Sequence, residues 1–137
     1  MRINIYFSEN DKLIEVFLRV MEVFFTTPSI TFVRQGDIEN QHIYMIGDGI
    51  VDVQRKNTNA FRDSIWELDC GSVLNTIAAL FNCAPLFEYH CKSYCTLARI
   101  RHDDFSNIMK RNKPIKTKMV KKLFENPYEI DRNYFIL

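Results

Sequence analysis

Apolar residues recur at three- and four-residue intervals near the start of the chain. The segment follows Ser8, whose hydroxyl can accept a hydrogen bond from a first-turn amide, and it ends before Pro28. Such spacing places apolar side chains on one helical face. The sequence therefore predicts a helix over residues 8–26, whose face either packs on the core or docks a neighbouring segment. The face consists of Leu13, Val16, Phe17, Val20, Met21 and Phe24.

The pattern changes near residue 30 to short β-type runs separated by turn residues. Gly47-Asp48-Gly49 is the strongest turn signal, because glycine readily takes the positive φ that tight hairpin turns need. Repeated strands and turns over residues 30–100 predict a compact antiparallel barrel or sandwich. One short helix, near residues 75–81, interrupts the strands. The predicted strands include ITFV, HIYMI, IVDVQ, SIWEL, LFEYHC and CTLARI.

The last part of the chain has a helical pattern. Asp103 or Asp104 can cap a first helix, and Pro114 suits the first turn of a second, so helices are predicted over residues 102–125, followed by a tail over 126–137. Seven basic residues lie between positions 110 and 122, with no acidic residue among them. Such a run is typical of a solvated helix face, and the alternative is contact with anionic lipid or a partner.

Composition limits the function classes. A chain of 137 residues with 47% hydrophobic content fits a single domain. A net charge of +1 gives no general reason to bind nucleic acid. No apolar run reaches the roughly 18 residues that a membrane span needs, so a membrane is expected only through a larger parent protein.

We expect the cysteines to be reduced thiols, because no signal peptide precedes them and the core is large enough to be stable without disulfides. Only Cys91 and Cys95 approach metal-ligand spacing, and a zinc site would need histidine as well, so no metal is predicted. Motifs of hydrolases, zinc proteases, phosphate loops and dinucleotide sites are absent, so no catalytic residue is predicted. The other cysteines and the histidines are Cys70, Cys83, His42, His90 and His102.

Two longer segments resemble a known family. FVRQGDIENQHIYMIGDGIVDVQ resembles the opening of cyclic-nucleotide-binding domains, and YCTLARIRHDDFSNIMKRNKP resembles their closing strand and helix, especially in hyperpolarisation-activated and cyclic-nucleotide-gated channels. The resemblance covers about residues 13–125. It implies a mainly β fold, an eight-stranded antiparallel β-roll (a jelly-roll-like barrel) with an N-terminal helix, a short inserted cassette helix and C-terminal helices.

The resemblance also implies a phosphate-binding cassette starting at Gly71. In the family, helix-start amides and an Arg bind the cyclic phosphate, and a Glu binds the ribose. Losing both charge-assisted contacts, at roughly 1.5–3 kcal/mol each, weakens binding about a hundredfold to more than ten-thousandfold. We therefore predict a degenerate site in which Asn75 takes the glycine's positive φ. Counted without a gap, the Phe-Gly-Glu positions fall on Leu74, Asn75 and Thr76, and the Arg-Thr-Ala positions on Pro85, Leu86 and Phe87.

Other groups are candidates to fill the vacated site. His90 and Lys92 share a strand face with Glu88 and are candidate substitute cations, the alternative being surface positions. Trp66 is expected to pack in the core rather than stack on a base. In the related ether-à-go-go-type channels, residues after the last helix fill the pocket; this resemblance makes Tyr134 and Phe135 candidates for an internal ligand, with a frayed terminus as the alternative.

These observations predict a non-catalytic cytoplasmic regulatory domain of a larger plasma-membrane protein, an ion channel. It would have no resident cofactor and would not bind cAMP or cGMP in the usual way. Its partners would be the rest of the parent protein and other subunits. One alternative is a sensor of another small molecule, through an apolar pocket lined by Leu74, Thr76, Leu86 and Phe87; the other is a structural module for subunit assembly.

Overall fold

The computed structural model describes residues 11–56 and 62–125. In this part of the chain none of the helices is long and apolar enough to cross a membrane. The elements are α1 (Asp11–Val20), β1 (Glu22–Thr26), β2 (Thr31–Val33), β3 (Ile43–Asp48), β4 (Val51–Lys56), β5 (Arg62–Leu68), β6 (Val73–Leu74), α2 (Thr76–Phe81), β7 (Glu88–Cys91), β8 (Cys95–Ile100), α3 (His102–Arg111) and α4 (Lys113–Glu125).

The strands form two four-stranded antiparallel sheets. One has the order β1-β8-β3-β6 and the other the order β2-β7-β4-β5. A core of buried side chains from both sheets joins them. This architecture confirms the predicted β-roll with its flanking helices and short inserted helix.

Strand β3 is buried on both faces, because the two sides of its sheet pack against different layers. Tyr44 and Ile46 point into the core between the sheets. Ile43 and Met45, which alternate with them, point to the layer of helices. That layer includes Leu13 and Phe17 of α1, so the predicted apolar face packs on the core at these positions.

The helix predicted over residues 8–26 differs in the structure. Within the described residues it ends at Val20, and Glu22–Thr26 forms β1, which pairs with β8 along its whole length. The strand is rich in aromatic and β-branched residues, which favour a pleated backbone. Phe24 packs at 6.3 Å from the Tyr44 ring, whereas Phe25 is 80% exposed, as expected for alternating faces.

The turn at Gly47-Asp48-Gly49 joins strands of different sheets and does not close a hairpin, since β3 and β4 are not paired. Gly49 has the predicted positive φ, at 103°. A Cβ atom at this position would lie 2.5 Å from the Tyr94 carbonyl oxygen and 2.6 Å from Cys95 Sγ. Glycine is therefore required here both for its backbone angle and for its small size.

We predict that Gly49→Ala lowers the free energy of unfolding by about 2–5 kcal/mol, because backbone strain and overlap with Tyr94 add together. Gly36→Ala is the matched control, since Gly36 has a φ of 84° but open space at its Cβ. The control should cost only about 1 kcal/mol. Urea denaturation of both variants measures the difference, and equal losses would contradict the overlap argument.

Candidate functional site

The cassette lies between the two sheets, in the connection from β6 to β7. Its helix, α2, begins after Asn75, which has φ 63° and ψ 25°. This left-handed backbone is uncommon outside glycine, and asparagine is among the residues that tolerate it best. Asn75 thus has the positive φ that was predicted for it.

The Asn75 side chain ties the cassette to the loop before β3. Its Nδ2 donates hydrogen bonds to the carbonyl oxygens of Asn40 and His42, each at 3.0 Å. Its backbone amide donates to the Tyr89 hydroxyl at 3.2 Å. Asn75 is 5% exposed, and these three hydrogen bonds, of which the one to Tyr89 is buried, hold the turn in place. The sequence contains no signal for these partners.

The cavity beside this turn is small. Its volume is about 20 Å³, enough for roughly one water molecule, whereas small-molecule pockets usually have about 300–1,000 Å³. No charged side chain is among the described residues around it. The lining consists of Trp66, Leu68, Val73, Asn75, Thr76, Ile77, Ala78, Leu86, Phe87, Tyr89 and Leu123.

Side chains of the chain itself occupy the space around the cavity. Phe87 is 4% exposed and packs edge-on against Trp66, with 5.5 Å between the ring centroids. Leu123 of α4 reaches the cavity from the helical layer and is 1% exposed. Trp66 therefore packs in the core, as predicted. Leu123 was not predicted from the sequence, although it lies four residues after Met119, a spacing that places the two side chains on the same face of a helix.

Two buried polar atoms belong to residues of the cavity lining. Thr76 Oγ1 and Trp66 Nε1 have no hydrogen-bond partner within residues 11–56 and 62–125. Leaving such groups unpaired costs about 1–3 kcal/mol each, and a single water would satisfy both if it bridged them. The polar groups here are neutral, and neither can balance the charge of a phosphate.

The other predicted cassette residues lie apart from the cavity or at its edge. Leu74 is buried in the core between the sheets, and Pro85 is also buried, with its carbonyl accepting a hydrogen bond from the Gly36 amide at 2.9 Å. Leu86 is 40% exposed at the edge of the cavity. The structure therefore gathers Asn75, Thr76, Leu86 and Phe87 around the cavity, and not Leu74 or Pro85.

The candidate substitute cations are engaged elsewhere. His90 Nδ1 is hydrogen-bonded to Thr31 Oγ1 at 2.9 Å, and Lys92 pairs with Glu67. Neither His90 nor Lys92 lines the cavity. The structure does not bring these two residues to the cassette. Tyr134 and Phe135, the candidate internal ligand, lie outside the described residues.

A histidine connects the cassette turn to α3. The carbonyl of His42 accepts from Asn75, while its Nδ1 accepts a hydrogen bond from the His102 backbone amide at 2.9 Å. Burial lowers the pKa of His42, and the nearby Arg99 and Arg101 lower this pKa further. The imidazole is thus kept neutral and able to accept the bond at the first turn of α3.

Comparisons with known proteins agree with this architecture. The model of one protein family, the cyclic nucleotide-binding domain, matches residues 27–112. No curated protein sequence matches the chain significantly. The structure of a regulatory subunit of a cAMP-independent protein kinase A from Trypanosoma brucei has a TM-score of 0.80 and 16% identity, covering 96% of this chain and 47% of that chain.

Two further structures show the same fold. Thermus thermophilus catabolite activator protein gives a TM-score of 0.75 and 14% identity, covering 88% of this chain and 55% of that one. A triple variant of the T. brucei subunit, bound to cAMP in its A site, gives 0.66 and 19% identity, covering 86% and 47%. The chain thus spans about half the length of these structures.

We predict that Asn75→Gly lowers the free energy of unfolding by about 1–3 kcal/mol, because the partly buried carbonyls of Asn40 and His42 lose their donor while the backbone angle is still allowed. Asn75→Ala should cost about 1 kcal/mol more, since alanine also disfavours positive φ. Chemical denaturation compares the two. Equal stability of the wild type and Asn75→Gly would contradict the role of the side chain.

We predict that acidification destabilises the protein through His42. Its pKa is lowered by folding, so the unfolded state binds the proton first and stability falls as the pH drops through and below about 6.5. His42→Asn keeps an acceptor near the Nδ1 position without titrating. The melting temperature of this variant should therefore fall less between pH 7.5 and 5.5 than that of wild type. His90→Asn is the control, and an unchanged slope in His42→Asn would exclude His42 as the cause.

Proposed function

The chain belongs to the cyclic nucleotide-binding domain family, and from that premise we propose that it is a non-catalytic regulatory domain with a self-filled nucleotide site. The observation that carries this proposal is the cavity of about 20 Å³ beside the cassette turn, packed by Phe87, Trp66 and Leu123. A nucleotide needs more than ten times that volume. Binding would require these side chains to leave.

The charges of the site support the same proposal. A cyclic phosphate carries a negative charge that must be balanced when it leaves water. Counted without a gap from Gly71, the family's cation position falls on Pro85, which is uncharged and does not line the cavity. The next two residues, Leu86 and Phe87, do line it, and no Lys or Arg is among the described residues around the cavity. Even with the aromatic side chains displaced, an anion would meet only neutral groups and helix-start amides.

The T. brucei neighbour gives this arrangement a parallel. The kinase to which that subunit belongs is described as cAMP-independent, and the cAMP-bound variant of the subunit carries arginine in place of threonine and alanine in place of a glutamate and a valine. Adding a cation and reducing side-chain size are the two changes that the present cavity would also need. We therefore propose that this chain acts without cyclic nucleotide.

In such a domain, contacts within the protein hold the regulatory helix. Leu123 closes the cavity from α4, which would keep that helix against the cassette with no ligand present. We propose that the rest of the parent protein and other subunits are its partners. A kinase regulatory subunit or an activator, as in the neighbours, is the first candidate parent, and the ion channel predicted from the sequence is the second.

Calorimetric titration tests the proposal. We expect no saturable heat from wild-type protein with cAMP or cGMP up to millimolar concentration. We expect Leu86→Arg combined with Phe87→Ala to bind cAMP, since it adds a cation and opens the cavity. Leu86→Gln combined with Phe87→Ala is the matched control, which opens the same space without the charge.

Saturable micromolar binding by the wild type would overturn the proposal. Binding by both double variants would mean that volume alone closes the site, and that the missing cation is unimportant. Strong saturable stabilisation of the wild type by an uncharged nucleoside such as adenosine would favour the alternative of a different small-molecule sensor.

A further inference from the structure

A second, larger cavity lies among helices α2, α3 and α4, and it shares no lining residue with the cassette cavity. Its volume is about 150 Å³. An engineered apolar protein cavity of about this size binds benzene, so the space can receive one aromatic ring. Its apolar floor, whose members are each no more than 7% exposed, consists of Ala79, Leu80, Phe105 and Met109.

The rim of this cavity is basic. Lys110, Lys113 and Lys116 surround the opening, together with the hydroxyl of Ser106, and no carboxylate is among the lining residues. All three lysines are exposed. None of them forms an ion pair with a carboxylate in the described part of the chain. The floor residues, the three lysines and Ser106 together form a basic groove.

Lys110 lies in the last turn of α3, where a cation is favourable to the helix dipole, but the other two lysines have no such role in α4. Lys113 and Lys116 lie in the opening turns of α4, where the helix dipole is positive, and the first turn contains no acidic residue. Residues 105–124 include seven basic residues and no acidic one. Cations there repel one another and the positive end of the dipole. Binding of an anionic partner would relieve this repulsion.

We propose that the basic groove binds an acidic peptide segment of a partner protein, which inserts one aromatic side chain between the three lysines. The volume of the cavity fits a single ring, and the lysines can pair with carboxylates on either side of it. The apolar surface is recessed behind the amines. A membrane-binding face instead projects its apolar side chains outward into the lipid, which argues against a bilayer as the occupant.

Fluorescence anisotropy with labelled synthetic peptides tests this proposal. The probe is Gly-Glu-Asp-Glu-Phe-Asp-Glu-Asp-Gly, and the matched peptide has alanine in place of phenylalanine. We expect the phenylalanine peptide to bind about tenfold or more tightly than the alanine peptide, because only the former fills the cavity. Binding should weaken as salt is added, since the lysines supply the charge.

Two charge-matched triple variants locate the site. Lys110→Gln, Lys113→Gln and Lys116→Gln together should weaken the phenylalanine peptide about tenfold or more. Lys118→Gln, Lys121→Gln and Lys122→Gln remove the same charge from residues of α4 that do not line the cavity, and should weaken it by less than about threefold. Equal weakening by the two sets would overturn a defined site in favour of general attraction.

Filling the cavity separates its shape from its charge. Ser106 is partly exposed, so Ser106→Phe places a ring at the opening without altering the lysines. In a folded variant, verified by circular dichroism and melting temperature, the phenylalanine and alanine peptides should bind alike. Equal binding of both peptides to the wild type would overturn the proposal. So would failure of the peptides to bind, together with binding to phosphatidylserine vesicles that depends on Lys110, Lys113 and Lys116.

Discussion

The left-handed turn at Asn75 is the constraint on which the regulatory half of the fold depends. A residue other than glycine holds such a backbone only when its surroundings fix it, and here two partly buried carbonyls accept hydrogen bonds from the Asn75 side-chain amide. The turn sets the direction in which α2 leaves its sheet. Ala79 and Leu80 of α2 then pack in the same core as α3 and α4. The position of the terminal helices therefore follows from one asparagine and the loop that it binds.

The packing around this turn exchanges a charged ligand site for a buried apolar one. Burying a large side chain such as Phe87 or Leu123 stabilises the folded state by roughly 1.5–3 kcal/mol, and this gain is present whether or not a ligand is. A ligand shifts a conformational equilibrium only by binding one state better than another. In the proposed self-filled site, a cavity closed by its own side chains would offer a nucleotide no such difference, and closure would be a permanent property of the domain.

The sequence predicted the elements whose signals are local. Strand β8 has the predicted bounds, Cys95–Ile100, because turn residues precede it and α3 follows it. Asp103 and Asp104 were predicted as helix caps but lie within the first turn of α3, which begins at His102. The positive φ of Asn75 was also predicted, from its position in the cassette. Glu22–Thr26 was predicted as helix but forms a strand, because its structure depends on pairing with β8, which is far along the chain. Contacts of Asn75 and Leu123 with distant residues were missed for the same reason: tertiary packing, and not local pattern, decides them.

Helix α4 contributes residues to both cavities and would give the proposed domain a route for regulation without nucleotide. Leu123, near its end, closes the cassette cavity, and Lys113 and Lys116, at its beginning, surround the basic groove. A helix of 13 residues is about 20 Å long and moves largely as one body. A peptide bound in the groove would contact α2, α3 and α4 together and would favour the arrangement in which Leu123 stays in place. By thermodynamic reciprocity, any contact in the parent protein that draws Leu123 out would weaken binding at the groove. The input that relatives receive at the phosphate site would then enter at the other end of the same helix.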